Sequence, residues 1–308
     1  MDKIKSYFEF EKKLIWTNVI AITALHALCL YSFLTFPYSQ YKGLVVWGFL
    51  VGHLNGLGVT GGAHRLWTHR AYKAKTPLKI FLGLCYCGAG QNRIYEWVRD
   101  HRVHHKYSET DADPHNSNRG FWFSHVGWLM MKKHKNVYEH GGKIDMSDIE
   151  NDEVVSFIDK HFTILKILCC FVIPVVIPVY VFNYPWKPSI LSQVVMRYPG
   201  VLNATWSVNS FAHLWGGRSY NKSIGPAENL LVSFASGGEG FHNYHHAFPW
   251  DYKASEFGHI FNPTTVWLNF FHKINWAYDL KKVSPELIKK IAEKQGDGSW
   301  VDHYEKSY

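Results

Sequence analysis

Charged residues are missing from long parts of this 308-residue chain: no Lys, Arg, Asp or Glu occurs in residues 14–36, 43–63, 167–186 or 198–217. As a helix each stretch runs about 30 Å, the thickness of a bilayer core, which excludes an ordinary soluble domain. Cysteine is scarce too. The five, Cys29, Cys85, Cys87, Cys169 and Cys170, form no C-x2-C pair and no disulfide framework, so reduced packing residues are expected. No Walker sequence is present. The formal charge of +8 would fit nucleic-acid binding in a soluble protein. Beside such apolar runs, topology and attraction to anionic headgroups or an anionic substrate explain it better, and no nucleic-acid partner is expected.

Four transmembrane helices are therefore expected, at about 14–36, 43–63, 167–186 and 195–217, paired as hairpins by connections near 37–42 and 187–197. Lys3, Lys5, Lys12 and Lys13 precede the first span. Arg65, Arg70, Lys73, Arg93, Arg99, Arg102, Lys106, Lys132 and Lys133 lie between the second and third. The positive-inside rule then puts both termini and segment 64–166 in the cytoplasm. The first apolar run is long enough to remain as an anchor. Residues 78–89 are apolar but too short to cross, which points to a helix in the interface or packed under the cap. Pro174 and Pro178 are expected to kink the third span, and Asp111-Ala112-Asp113-Pro114 to form a turn. Lys281, Lys282, Lys289, Lys290 and Lys294 read as a solvated amphipathic helix. The whole chain, 1–308, reads as one all-α integral membrane domain with a helical cytosolic cap built from 64–166 and 218–308.

What the chain has in quantity is histidine. Of 19, eight fall in three tight clusters: His64-x4-His69, His101-x2-His104-His105 and His242-x2-His245-His246. On a helix, His101 shares a face with His104 and His105, while those two neighbours point about 100° apart and can reach different metals. The same geometry recurs at His242, His245 and His246. His64 and His69 would lie roughly 140° apart on a regular helix, so they straddle two metals or sit where the helix ends. One metal needs about four or five protein ligands, so eight imply two metals. His213 and Asn209, four apart in a charge-free run, add a ligand and a ligand acting through water. His26, His53, His134, His140, His161, His259, His272 and His303 read as surface or hydrogen-bonded core residues.

Hydrolytic zinc sites need only three protein ligands and an open position. Soluble di-iron bundles repeat Glu-x-x-His, which here occurs well only at Glu239 and His242. A metal transporter would place its ligands near the bilayer midplane, where only His213 and Asn209 could even partly lie.

The strings His64-Arg65-Leu66-Trp67-Thr68-His69, Arg99-Asp100-His101-Arg102-Val103-His104-His105 and Gly240-Phe241-His242-Asn243-Tyr244-His245-His246 resemble the three histidine boxes of membrane acyl-CoA desaturases of the stearoyl-CoA type. Glu109-Thr110-Asp111-Ala112-Asp113-Pro114-His115-Asn116 and Asn209-Ser210-Phe211-Ala212-His213-Leu214 match as well, and the likeness runs from about Trp16 to Asp297. The resemblance implies two iron ions (Fe2+) held by His64, His69, His101, His104, His105, His213, His242, His245 and His246, with Asn209 through water. It implies O2-dependent removal of two hydrogens from a fatty acyl-CoA in the endoplasmic reticulum membrane, to a cis double bond, Δ9 by default with Δ11 open. Electrons would come from separate cytochrome b5 and its reductase, with no such domain expected at either end. Gln91, Trp97, Thr205 and Trp206 match the bend of a hydrophobic tunnel. Asn18, Asn92, Arg99, Asp100, Lys132 and Lys133 match or nearly match positions contacting CoA. Gly52 and Gly56 stand where the mammalian enzymes carry tyrosine and alanine, which implies tolerance of longer chains. A membrane hydroxylase or acyl-lipid desaturase is the nearest rival reading.

Overall fold

The computed structural model describes residues 13–302; Lys3, Lys5, Lys12 and His303 lie outside the described residues. Helix α1 (Trp16–Thr35) is an uninterrupted apolar run that stops ahead of Pro37, because the residue before a proline is pushed out of helical geometry. Its large side chains face outward: Leu34 is 73% exposed and Ile20 65%. Among the described residues three helices are long and apolar enough to cross a membrane: α1, α2 (Lys42–Thr68) and a later one, Phe162–Tyr180.

The fourth expected span differs. Helix begins at Trp186 and continues through Leu191–Arg197 into Tyr198–Leu214, so the connection expected near 187–197 is itself helical and the break lies at 181–185. The charged residues had marked the wrong boundary. Arg197 is buried inside the molecule, where it donates to the carbonyls of Cys170 and Gly88. Gln193, Asn203, Asn209, Ser210 and His213 make this helix less apolar than the other three.

Following α2, helix α3 (Thr76–Ala89) carries the short apolar run and buries Leu78, Leu82 and Tyr86. It packs against α2 at Gly58, where a Cβ would stand 2.1 Å from the backbone N of Tyr86. Gly58 therefore serves a close helix crossing. Helix α4 (Ile94–Tyr107) carries the second histidine cluster. Turns and short helices, Lys135–Gly141 among them, lead from there to α5 (Glu153–Lys160) and α6 (Phe162–Tyr180), and α7 (Tyr198–Leu214) returns.

The prolines of α6 free two carbonyls, and each finds a donor on another helix. Pro174 has no N–H to give the Cys170 carbonyl, and Arg197 donates there instead. Pro178 likewise leaves the Pro174 carbonyl open, and Trp47 Nε1 on α2 donates to it at 2.9 Å.

After α7 come α8 (Leu230–Ser236), α9 (His242–Ala247), α10 (Pro263–Lys273) and α11 (Pro285–Gln295). The expected amphipathic tail corresponds to α11, with Lys281 and Lys282 ahead of it. The one sheet among the described residues joins β1 (Lys73–Ala74) antiparallel to β2 (Ala277–Tyr278), pairing Lys73 with Tyr278 and Ala74 with Ala277. It ties the end of α2 to the segment after α10.

Candidate metal centre

The three clusters reach one place because each helix is locally shaped to bring them there. The last part of α2, Gly58–Thr68, is wound wide, and the His69 N–H bonds the His64 carbonyl, five residues back, at 3.1 Å. Residues five apart fall nearly in line on such a wide turn. The offset expected from a regular helix is thus removed, and the two rings lie 4.8 Å apart.

Helix α4 is started by a carboxylate from α5: Asp159 accepts from the backbone N–H groups of Ile94 at 2.8 Å and Tyr95 at 2.9 Å. That satisfies donors no helix can satisfy for itself. Helix α9 spans only 6 residues and is too short to stand alone. Glu228 caps it by accepting from Tyr244 N at 2.7 Å, and burial pushes the Glu228 carboxyl up to about 8. Asn243 fixes its orientation through Tyr220 N, Asn221 N and the carbonyls of Asn221 and Pro226.

The result is two sets. His64, His69, His101, His105 and His245 form one and His104, His213, His242 and His246 the other, with ligand nitrogens in each lying within 4.8 Å of one another. Adjacent His104 and His105 point into different sets, as do His245 and His246. The Nε2 atoms converge: His64 to His245 is 2.9 Å, His105 to His245 3.1 Å, His213 to His242 3.0 Å and His242 to His246 3.2 Å. Burial, helped by the neighbouring rings, holds His101, His105, His242, His245 and His246 well below the ordinary imidazole range. That favours the neutral ring, the form that binds a metal.

Shared protons alone cannot satisfy this cluster. The buried Nε2 atoms of His69, His101 and His104 have no hydrogen-bond partner. A buried polar atom left this way costs about 1–3 kcal/mol, and two in one set with a third in the other fit a pair of metal-binding sites. Asn209 sits one turn before His213 and lines the cavity that reaches these histidines.

Behind the rings stand carboxylates that sequence reasoning did not assign to the site. Glu239 Oε2 lies 2.8 Å from His64 Nδ1, and its Oε1 accepts from Arg65 Nη2 at 2.7 Å. Burial favours the protonated acid, but the Arg65 guanidinium prevails and holds Glu239 at about 2. Asp113 Oδ1 lies 3.0 Å from His104 Nδ1 and 3.4 Å from His115 Nδ1. Burial opposes its charge as well, and the two histidines keep it well below the usual carboxylate range. Glu109 Oε1 lies 3.4 Å from His213 Nδ1. Such partners orient a ligand ring and fix its tautomer. Their signal was present in the sequence, since Glu109 and Asp113 stand just beyond the second cluster and Glu239 just before the third. Asp113 was expected only to make a turn, which it also does.

A cavity of about 1440 Å³ runs from the two sets between the long helices. Gly52, Gly56, Gln91, Trp97, Thr205 and Trp206 all line it, as do Asn18, Asn92 and Asp100. Gln91 Nε2 donates to Thr205 Oγ1 at 3.0 Å, and Trp97 Nε1 donates to Gln91 Oε1 at 2.8 Å. Lys132 and Lys133 line a neighbouring hollow that shares Trp128 with the cavity. Asp100 pairs with Lys133 and, at 3.0 Å, with Arg99, while Asn18 donates to the Leu129 carbonyl at 2.8 Å.

Comparison with known proteins adds a family and named relatives. Residues 41–256 match the model of the fatty acid desaturase family. The acyl-CoA Delta-9 desaturase of Acheta domesticus is 51% identical over 292 residues, covering 94% of this chain and 81% of that protein. Stearoyl-CoA desaturase 5 of Bos taurus is 49% identical over 286 residues, covering 93% and 85%. The acyl-CoA Delta(11) desaturase of Trichoplusia ni is 48% identical over 289 residues, covering 93% and 82%.

Proposed function

This chain belongs to the fatty acid desaturase family, and from that premise we propose that it is an acyl-CoA desaturase, an oxidoreductase that turns a saturated fatty acyl-CoA into a cis-monounsaturated one. The observation that carries this reading is the opening of both histidine sets onto one long, largely apolar cavity. A soluble substrate needs no such space, whereas an acyl chain does.

The two sets are read as holding two iron ions, through His64, His69, His101, His105 and His245 on one side and His104, His213, His242 and His246 on the other, with Asn209 acting through water. Neutral imidazole suits iron, although zinc, copper and nickel share that preference. When bound, the iron pair supplies oxygen activation; the protein supplies position. The bonded trio of Thr205, Gln91 and Trp97 shapes the wall beside the metal set, and Trp97 stacks on His101 at 4.8 Å. Asn18, Asn92 and Asp100 on the cavity wall, with Arg99 and Lys133 paired to Asp100 and Lys132 in the neighbouring hollow, are read as the CoA-binding group, with cations for its phosphates. Electrons are assigned to cytochrome b5 and its reductase, docked on a basic face.

The histidines gather at the ends of α2 and α7 and not halfway along them, which argues against a transporter. The endoplasmic reticulum, four spans and cytoplasmic termini belong to the same proposal. Relatives named for Δ9 and for Δ11 activity are almost equally similar, so Δ9 is the default position and not a property of the family name. The test is expression in cells lacking their own desaturase, fed saturated acids of several lengths, with the double bond located by mass spectrometry. An unsaturated product is expected, and His101→Ala or His245→Ala should abolish it. A hydroxylated product would favour the hydroxylase reading instead.

A further inference from the structure

A second, largely half-buried polar network runs beside the metal centre, linking α1, the turn Phe123–Gly127 and α7. His26 Nδ1 donates to the Ile22 carbonyl at 2.8 Å, which leaves its Nε2 to accept from Asn203 Nδ2 at 2.9 Å. The same amide also donates to the Pro199 carbonyl at 2.8 Å, and Asn203 Oδ1 accepts from His125 Nε2 at 3.1 Å. His125 Nδ1 lies 2.8 Å from Ser210 Oγ, which in turn lies 3.0 Å from the Trp206 carbonyl. Both rings are satisfied in the neutral form, and a network with every member paired fixes a single arrangement.

That arrangement encloses one side chain. The Trp206 ring stacks on His26 at 5.9 Å and 21°, and meets His125 edge-on at 5.9 Å and 81°. Trp206 lines the cavity beside Thr205, whose bonds run through Gln91 and Trp97 to His101. The indole is therefore set between two polar frames, one leading to the metal ligands and one tying two long helices to the cap. None of the four network residues belongs to either histidine set.

We propose that His26, Asn203, His125 and Ser210 are positioning residues that hold Trp206 and so fix which pair of methylenes lies beside the metal sets. The proposal rests on the desaturase reading above. Saturated chains offer the wall no polar handle, so registration depends on shape alone, and a displacement near 1 Å can cost about 10²-fold in rate.

The experiment uses full-length His125→Phe, Asn203→Leu and the milder Ser210→Ala, each assayed for iron per chain, for kcat and KM, and for double-bond position by mass spectrometry. Iron should stay at the wild-type level. The share of product at neighbouring positions should rise at least about tenfold, and kcat should fall more than KM changes. His125→Gln, whose amide can still donate to Asn203, should restore most of the wild-type pattern. Iron-loaded variants with an unchanged product pattern and kcat would overturn the proposal. Loss of iron in all three, Ser210→Ala included, would overturn it also, by making the network a scaffold for the ligands. Wild-type protein that forms no unsaturated acid would remove the desaturase reading, and this proposal with it.

Discussion

Among single residues, the least visible in the sequence is the pair behind His64. Arg65 is 1% exposed, and its five N–H groups are all used, on Glu239, Asn262, Thr265 and the Tyr252 carbonyl. Glu239 joins that guanidinium to the ligand ring. In Glu239→Gln the amide keeps the shape, yet one oxygen becomes a donor facing either the guanidinium or the Nδ1 hydrogen that a metal-bound ring must carry. Metal affinity should fall roughly 10–100-fold, read by titrating iron into the purified apoprotein, with Asp113→Asn losing affinity in the same way. An unchanged affinity in both would reduce these carboxylates to packing. The two H-x2-H-H clusters were legible because their spacing repeats; the carboxylates beside them were harder to assign, because acids a few positions outside a cluster have no spacing rule. Gly52 and Gly56 allow a second residue-level prediction. A Cβ at Gly56 meets nothing within 4 Å, and one at Gly52 makes only ordinary contacts, at 3.5 Å to Val201 and 3.7 Å to Arg197. Gly56→Phe and Gly52→Tyr should therefore fold and fill the cavity, shifting the preferred acyl chain to shorter lengths in a competition assay. A profile that does not move would separate these positions from length selection.

For the elements, hydrophobic runs located three long helices, the first within two residues and the other two with ends five or six residues out, and what they could not locate was departure from regular winding. The i to i+5 bond at His64 and His69 has no signature in composition, so the ring alignment it creates was out of reach. Arg197 misled for a related reason. A lone charge reads as a boundary, but here it is a donor to a carbonyl that Pro174 cannot serve. The Trp47 and Pro178 pair obeys the same logic and can be measured. Trp47→Phe leaves the Pro174 carbonyl without its donor and should destabilise the protein by about 1–3 kcal/mol in detergent-solubilised unfolding. Pro178→Ala returns an N–H to that position. The double variant should then lose less than the sum of the two single variants, a coupling that distant sites do not show. Strict additivity would mean that the carbonyl is satisfied by some other route.

The helices of the whole molecule have two ends, and their contacts show which helices run from one to the other. At one end, Ile15 N bonds the Met130 carbonyl at 2.8 Å where α1 begins, and α2 and α7 finish at His64 and His213. At the other, Tyr41 packs on Tyr184 at 6.2 Å, Trp47 on Phe182 at 6.3 Å, and Gln193 Nε2 donates to the Leu44 carbonyl at 3.1 Å. The chain thus travels away from the metal end in α1, back in α2, away in α6 and back through α7, although only three of these four helices are apolar enough to be recognised by composition. Polar groups on α7 face the cavity and the other helices, so low average hydropathy is no bar to crossing. The test is cysteine labelling in sealed microsomes, on a background with the native cysteines replaced. Lys135→Cys and Lys222→Cys should react with a membrane-impermeant maleimide at once, and Ser39→Cys and Lys187→Cys only after permeabilisation. If α7 did not cross, Lys222→Cys would instead share the protection of Ser39→Cys, and the histidines of α4 and α7 would stand on opposite faces of the membrane. Two sets that each draw on separate helices could not then form, so the labelling pattern and the metal content of the same preparation must agree.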